Sequence, residues 1–168
     1  MFKEENAKIR AKLLKAVDGL DDDQLNKKPS QEEWSPMQIL DHLQLMETAI
    51  AKSIRQELAS GKSEKASKKP IQLTVSRVIK VDAPHYTVPT DEFVSLEEMK
   101  KRLNKSHNLL YEVYDSTNEE ILAQKSLPHP VFGKVPLTQW FPFVGLHEKR
   151  HHKQLEKTLS KLESITHH

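Results

Sequence analysis

The 168 residues predict an all-α protein of four long helices in one domain, on three observations. Nine prolines leave proline-free spans at 1–28, 37–69, 90–127 and 143–168. Only four glycines interrupt the chain, and Ser-anchored capping patterns stand near the start of the second and third spans. Proline is excluded from helix interiors, so such spans in a glycine-poor chain are where helices can run. The length suits a single domain, placed at residues 1–166, with His167 and His168 as a tail or tag remnant.

In the first span Phe2, Ile9, Leu13, Ala16, Val17 and Leu20 recur at helical intervals, and Gly19 stands where a C-terminal cap would fall. The second opens with Ser35-Pro36-Met37-Gln38, an N-cap serine, proline at the first helical position and glutamine at the capping-box position. Leu40, Leu43, Ile50, Ile54 and Leu58 then line one face as far as Gly61. Ser95-Leu96-Glu97-Glu98 reads as another capping box, heading a stripe of Leu96, Met99, Leu103, Leu110 and Tyr114. The last span carries Val144, Leu155, Leu159 and Leu162 behind Leu137, Trp140 and Phe141, and Pro142 predicts a kink or a late start. The connector from Gly61 to Val94 is long enough for the second and third helices to run parallel, and its stretch Ile71–Val81 alternates enough for a short strand pair. A second long connector runs from Asn118 to Val135, and long connectors in a compact domain are often functional.

Composition narrows the chemistry. Basic and acidic residues number 26 and 24 and are interspersed, which is no nucleic-acid footprint. The lysines between Lys62 and Lys69 read as a solvated loop. No apolar run approaches a membrane span, and the charged N-terminus lacks a secretory signal, so the expected location is the cytoplasm. Without cysteine there is no disulfide, no thiolate metal ligand and no internal thiol nucleophile, so any thiol chemistry must use a borrowed thiol. Glycine-rich phosphate loops, a Gly-x-Ser-x-Gly nucleophile motif and the paired Glu-x-x-His motifs of di-iron bundles are absent.

On a helical wheel His147 and His151 fall inside the stripe of Val144, Leu155 and Leu162, one turn apart. Two imidazoles at i and i+4 can converge on one transition-metal ion. The plainer alternative is two core histidines bonded to backbone or water. A third ligand is needed, and His42, on the flank of the second helix between Ile39 and Met46, is the best candidate. Glu47 lies in the centre of that helix's stripe, where a carboxylate requires a partner. It is a candidate general base, a candidate orienter of a ligand histidine, or the partner of a basic residue on another helix. His107 competes as a fourth ligand, Gln154 can hydrogen-bond near the site, and His85 and His129 sit in connectors that can line a pocket mouth.

Gly19-Leu20-Asp21-Asp22-Asp23-Gln24-Leu25-Asn26, then Glu33-Trp34-Ser35-Pro36 with Asp41-His42-Leu43 and Glu47, resembles the N-terminal half of the DinB-like (DinB/YfiT) superfamily of metalloenzymes. Val81-Asp82-Ala83-Pro84, the approach Phe132-Gly133 to Pro136-Leu137-Thr138, and His147-Glu148-x-x-His151-His152-x-Gln154-Leu155 extend the resemblance over nearly the whole chain. It implies a left-handed four-helix bundle of up-down-down-up topology, in agreement with the long connector between helices two and three. It also implies a divalent metal held by His42, His147 and His151, with zinc or nickel expected and iron or manganese as further options. Members often form homodimers. Characterised relatives use low-molecular-weight thiols such as bacillithiol or mycothiol in S-transfer or isomerisation, and others are described as hydrolases. The expectation is therefore a metal-dependent thiol transferase or hydrolase acting on a small molecule, against a non-catalytic metal-binding or structural bundle.

Overall fold

In the computed structural model, which describes residues 1–76 and 84–166, each of the four proline-free spans carries most of one long helix. Helix α1 spans Phe2–Val17 and ends at Asp18, after which Gly19 takes the left-handed φ of 80° that reverses the chain. A one-turn helix α2, Asp22–Leu25, follows, closed by a reciprocal capping box between Asp21 and Gln24. Helix α3, Pro36–Ala59, begins as its sequence predicts: Ser35 Oγ accepts from the Gln38 N–H, and the Gln38 side chain accepts from the Ser35 N–H. Helix α4 spans Leu96–Asp115, but its capping box is half formed. Ser95 Oγ accepts from the Glu98 N–H, while the Glu98 carboxylate turns to Arg102 one turn on.

Helix α5, Glu119–Ala123, and the antiparallel hairpin β1 (Ser126–His129) and β2 (Gly133–Pro136) occupy the second connector. Helix α6 then runs Leu137–Thr166 straight through Pro142, so the late start expected from that proline does not occur. Proline here is six residues into the helix and removes one backbone bond near its beginning. The strand pair expected over residues 71–81 is corrected in its described part only. Ile71–Val75 forms a 3-10 turn, residues 77–83 lie outside the described residues, and the strands form at 126–136 instead. The short alternation from Ile71 reflects burial of Ile71 and Thr74 on a single turn.

The packing contacts give the directions of the helices. Asp41 faces Arg102 and Glu47 faces Ser106, so α3 and α4 run the same way. Asn6 bonds the Phe141 carbonyl and Arg10 bonds Glu148, so α1 and α6 also run together. Ile50 packs with Phe143 in one apolar cluster and Ile39 with Leu155 in the other, which makes α3 and α6 antiparallel. At Gly145 the first and last helices touch so closely that a Cβ would stand 2.1 Å from Asn6 Oδ1. The first connector is tied down along the hairpin and α6: Ser126 Oγ donates to the Glu64 carbonyl, Lys69 and Gln139 exchange two bonds, and Arg150 caps the Thr74 and Ser76 carbonyls. Among the described residues no helix is long and apolar enough to cross a membrane.

Candidate metal centre

His42 is two turns into α3, and its ring is fixed from outside the helix. Its Nδ1 lies 2.8 Å from the carbonyl oxygen of Thr87, a fully buried residue of the first connector. A carbonyl can only accept, so Nδ1 carries the proton and Nε2 keeps its lone pair. Trp34 packs on the ring with centroids 5.0 Å apart. On α6, one turn apart, are His147 and His151. The Gln154 side-chain oxygen lies 2.7 Å from His151 Nδ1, which puts the proton on Nδ1 and the lone pair on Nε2 by the same logic.

His42 Nε2 and His147 Nε2 stand 3.3 Å apart, and one nitrogen from each of His42, His147 and His151 falls within 4.8 Å of the others. Zinc–nitrogen bonds of about 2.0–2.1 Å in a tetrahedron put neighbouring nitrogens roughly 3.3–3.4 Å apart, so this pair already has the spacing of two ligands on one ion. Burial pushes the His42 imidazole below its ordinary value despite the Thr87 bond. His147 is driven well below by burial and by the charges of His151 and His42. Both rings are therefore neutral with lone pairs available near neutral pH, and the donor set fits a divalent transition metal.

The three rings open onto a cavity of about 1040 Å³. Helix α6 lines it with one continuous stripe that changes character at the histidines. Trp140 and Phe143 stand on the N-terminal side, and Gln154, Lys157, Thr158 and Lys161 on the C-terminal side. Met46, Ile50 and the hairpin residues Leu127 and Phe132 complete the apolar flank, while Glu32, Glu33 and Trp34 complete the other.

Sequence profiles of the DinB superfamily match residues 6–155. The chain belongs to the DinB superfamily. A relative, the uncharacterized protein YuaE of Bacillus subtilis (strain 168), is 34% identical over 154 residues, covering 92% of this chain and 94% of its own. Among solved structures, the crystal structure of TT2238, a four-helix bundle protein, superposes with a TM-score of 0.61 at 20% identity, covering 92% and 94% of the two chains. That likeness supports the four-helix bundle as the fold of this DinB chain.

Glu47, the remaining site candidate, is held elsewhere. Its carboxylate accepts from Arg10 at 3.0 Å and from Ser106 Oγ at 2.5 Å, and lies 3.2 Å from His107 Nδ1. Of the roles open to it in the sequence, pairing with a basic residue of another helix is the one displayed. His107 thereby belongs to this polar layer and is outside the histidine cluster. Sequence reasoning gave no role to Arg10 or Glu148, which complete the layer. Arg10 grips Glu148 through Nε and Nη2, the shortest bond being 2.7 Å. The letters His147-Glu148-Lys149-Arg150-His151 match the helical zinc-protease motif, whose glutamate serves as general base. Here Glu148 projects away from the cavity into the bundle, where Arg10 holds it, so that role is closed to it. A wheel drawn through Asn6, Arg10, Leu13 and Val17 would have revealed Arg10 on the buried face of α1. Burial works to lower the Arg10 pKa, but the charges and bonds of Glu148 and Glu47 outweigh it and raise it. For Glu47, burial is overcome by the His107, Arg10 and Ser106 contacts and the carboxyl is held low. Glu148 is pushed up, chiefly by burial and further by the Glu47 charge, which together outweigh the Arg10 contacts.

Proposed function

We propose that this chain is a metal-dependent DinB enzyme acting on a small molecule, with His42, His147 and His151 as the protein ligands of one divalent ion. Zinc or nickel suits three imidazoles best, with iron or manganese as further candidates. The observation that carries the reading is the convergence of three imidazoles, two of them oriented by Thr87 and Gln154, on the wall of a cavity large enough for a substrate. When bound, the ion would act as a Lewis acid that lowers the pKa of a thiol or water beside it. The chain's own contribution is orientation: Thr87 and Gln154 hold the rings with their lone pairs inward, and Trp34 fixes His42 from above. Glu47 and Glu148 are engaged within the bundle, so neither is placed to act as base.

A cavity with one apolar and one charged flank favours a two-substrate reaction, a low-molecular-weight thiol added to an electrophile, over hydrolysis of a single compound. The reading includes a single domain over residues 1–166, in the left-handed, up-down-down-up bundle of the DinB family. It also includes a cytoplasmic location and a homodimer, with small molecules rather than nucleic acid or membrane as partners.

Metal analysis of untagged protein tests it. About one equivalent per chain is expected, lost in His151→Ala, and metal-loaded protein incubated with bacillithiol or mycothiol and an electrophile should form conjugates that EDTA abolishes. Metal-free protein whose melting temperature is unmoved by added zinc would sink the ligand set. Bound metal without conjugation, together with ester or amide cleavage, would turn the assignment to hydrolysis. Bound metal with neither activity would leave a structural bundle.

A further inference from the structure

The apolar flank contains one polar side chain whose state is fixed by geometry. His129 ends β1, and the three-residue loop Pro130-Val131-Phe132 returns the chain to Gly133, whose φ of 74° lets the hairpin close. Within this turn the backbone N–H groups of Val131 and Phe132 both donate to His129 Nδ1, at 3.0 and 3.3 Å. A nitrogen that accepts carries no proton, so the neutral ring bears its hydrogen on Nε2.

The ring itself is packed among aromatic residues that lead to the histidine cluster. Its centroid lies 4.8 Å from Phe132, 5.9 Å from Trp140 and 5.2 Å from Phe143, and Phe143 in turn stacks 6.1 Å from His147. His129 lines the cavity, as do Phe132, Trp140 and Phe143. Across from them on α3 are Met46, Ala49 and Ile50, with Ser53 one turn on, so the flank is mainly apolar on both walls. A donor N–H in such surroundings discriminates strongly, because a ligand lacking an acceptor leaves it unpaired.

We propose that the hairpin flank of the cavity is a substrate subsite for a planar, uncharged, mainly apolar group bearing one hydrogen-bond acceptor, and that the Nε2–H of His129 takes that acceptor. This rests on the metal reading above, since the subsite is defined by its place beside the ion. The aromatic side chains supply offset or edge-on contacts to a flat group, and the backbone of the hairpin turn fixes the tautomer that makes His129 a donor. His129 is thus a specificity-determining residue for the electrophilic substrate. The charged flank beyond His151 is left for the polar cosubstrate.

A pair of hydroxamates, a substituted series and two variants test it. Hydroxamates chelate a transition metal, so zinc-loaded protein should bind both acetohydroxamate and benzohydroxamate, the phenyl compound about tenfold tighter or more by calorimetry. In a series of benzohydroxamates carrying methyl or an acceptor at each ring position, one acceptor compound should exceed its methyl analogue by roughly three- to tenfold. His129→Asn retains an oxygen that can accept from the turn N–H groups but has no donor at the Nε2 position, and should erase that advantage. His129→Gln keeps a donor there and should retain it. Zinc-loaded protein that binds the two hydroxamates equally, a series with no acceptor preference, or a preference unchanged in His129→Asn overturns the subsite while the metal centre stands. A chain that takes up no zinc overturns both.

Discussion

At the scale of single residues, protonation sets what the histidine cluster can do. Burial keeps the His42 and His147 imidazoles below the ordinary histidine range, His147 well below it. The unfolded chain, with values near 6.5, therefore takes up these protons at higher pH than the folded one. The stability contributed by the neutral rings is complete above that unfolded value and is lost as pH falls through the folded values. Glu148 acts in the opposite sense, since a raised carboxyl pKa adds relative stability as pH falls through it. Thermal melts in EDTA from about pH 7.5 down to about pH 5 should show a falling melting temperature, and His147→Gln should flatten the slope by removing one of the two rings. An identical slope in the variant would show that the rings do not set the acid sensitivity.

At the scale of elements, sequence chemistry and tertiary contact divide the control. Helix α3 starts where Ser35, Pro36 and Gln38 say it must, and that start places His42 two turns in, under Trp34. Ser35→Ala should cost about 1 kcal/mol in urea denaturation, the usual worth of such a cap. Gly145→Ala acts differently, because its methyl would displace Asn6, which is buried and bonded to the Phe141 carbonyl. About 1–3 kcal/mol is expected, and a loss below about 0.5 kcal/mol would mean that Asn6 moves aside freely. The same division explains what was legible in the sequence. Long amphipathic helices and their caps are local and readable, as is the pairing of His147 with His151 at one turn. The hairpin was not, because Ser126–His129 and Gly133–Pro136 contain prolines that demote a strand, and they form only as a two-stranded ribbon beside α6. The Thr87 carbonyl that orients His42 had no signal at all, since every residue offers such a group and only the path of the connector decides which one arrives. Glu98 illustrates the reverse error: the letters of a capping box were present, and Arg102 one turn away took the carboxylate instead.

At the scale of the whole molecule, one polar layer joins all four long helices. Arg10 of α1 binds Glu148 of α6 and Glu47 of α3 and donates to the Leu103 carbonyl of α4, and Ser106 and His107 of α4 close on Glu47. Apolar clusters lie on both sides of this layer, one around Phe141 and Val144 and the other around Leu13 and Leu155. A slip of any helix by one turn would separate Arg10 from its carboxylates and bury unpaired charge, so the layer fixes the register in which His42 meets His147 and His151. Arg10→Met should therefore be costly, about 3–5 kcal/mol, because two carboxylates remain buried without their cation. Removing the charges together, in Arg10→Met with Glu47→Leu and Glu148→Leu, should recover much of that stability, as apolar replacements of buried ion networks often do. The distinguishing measurement is metal affinity in the recovered triple variant. If the layer sets register, zinc should bind more weakly even where the urea midpoint is restored; undiminished affinity would show that apolar packing alone aligns the three histidines.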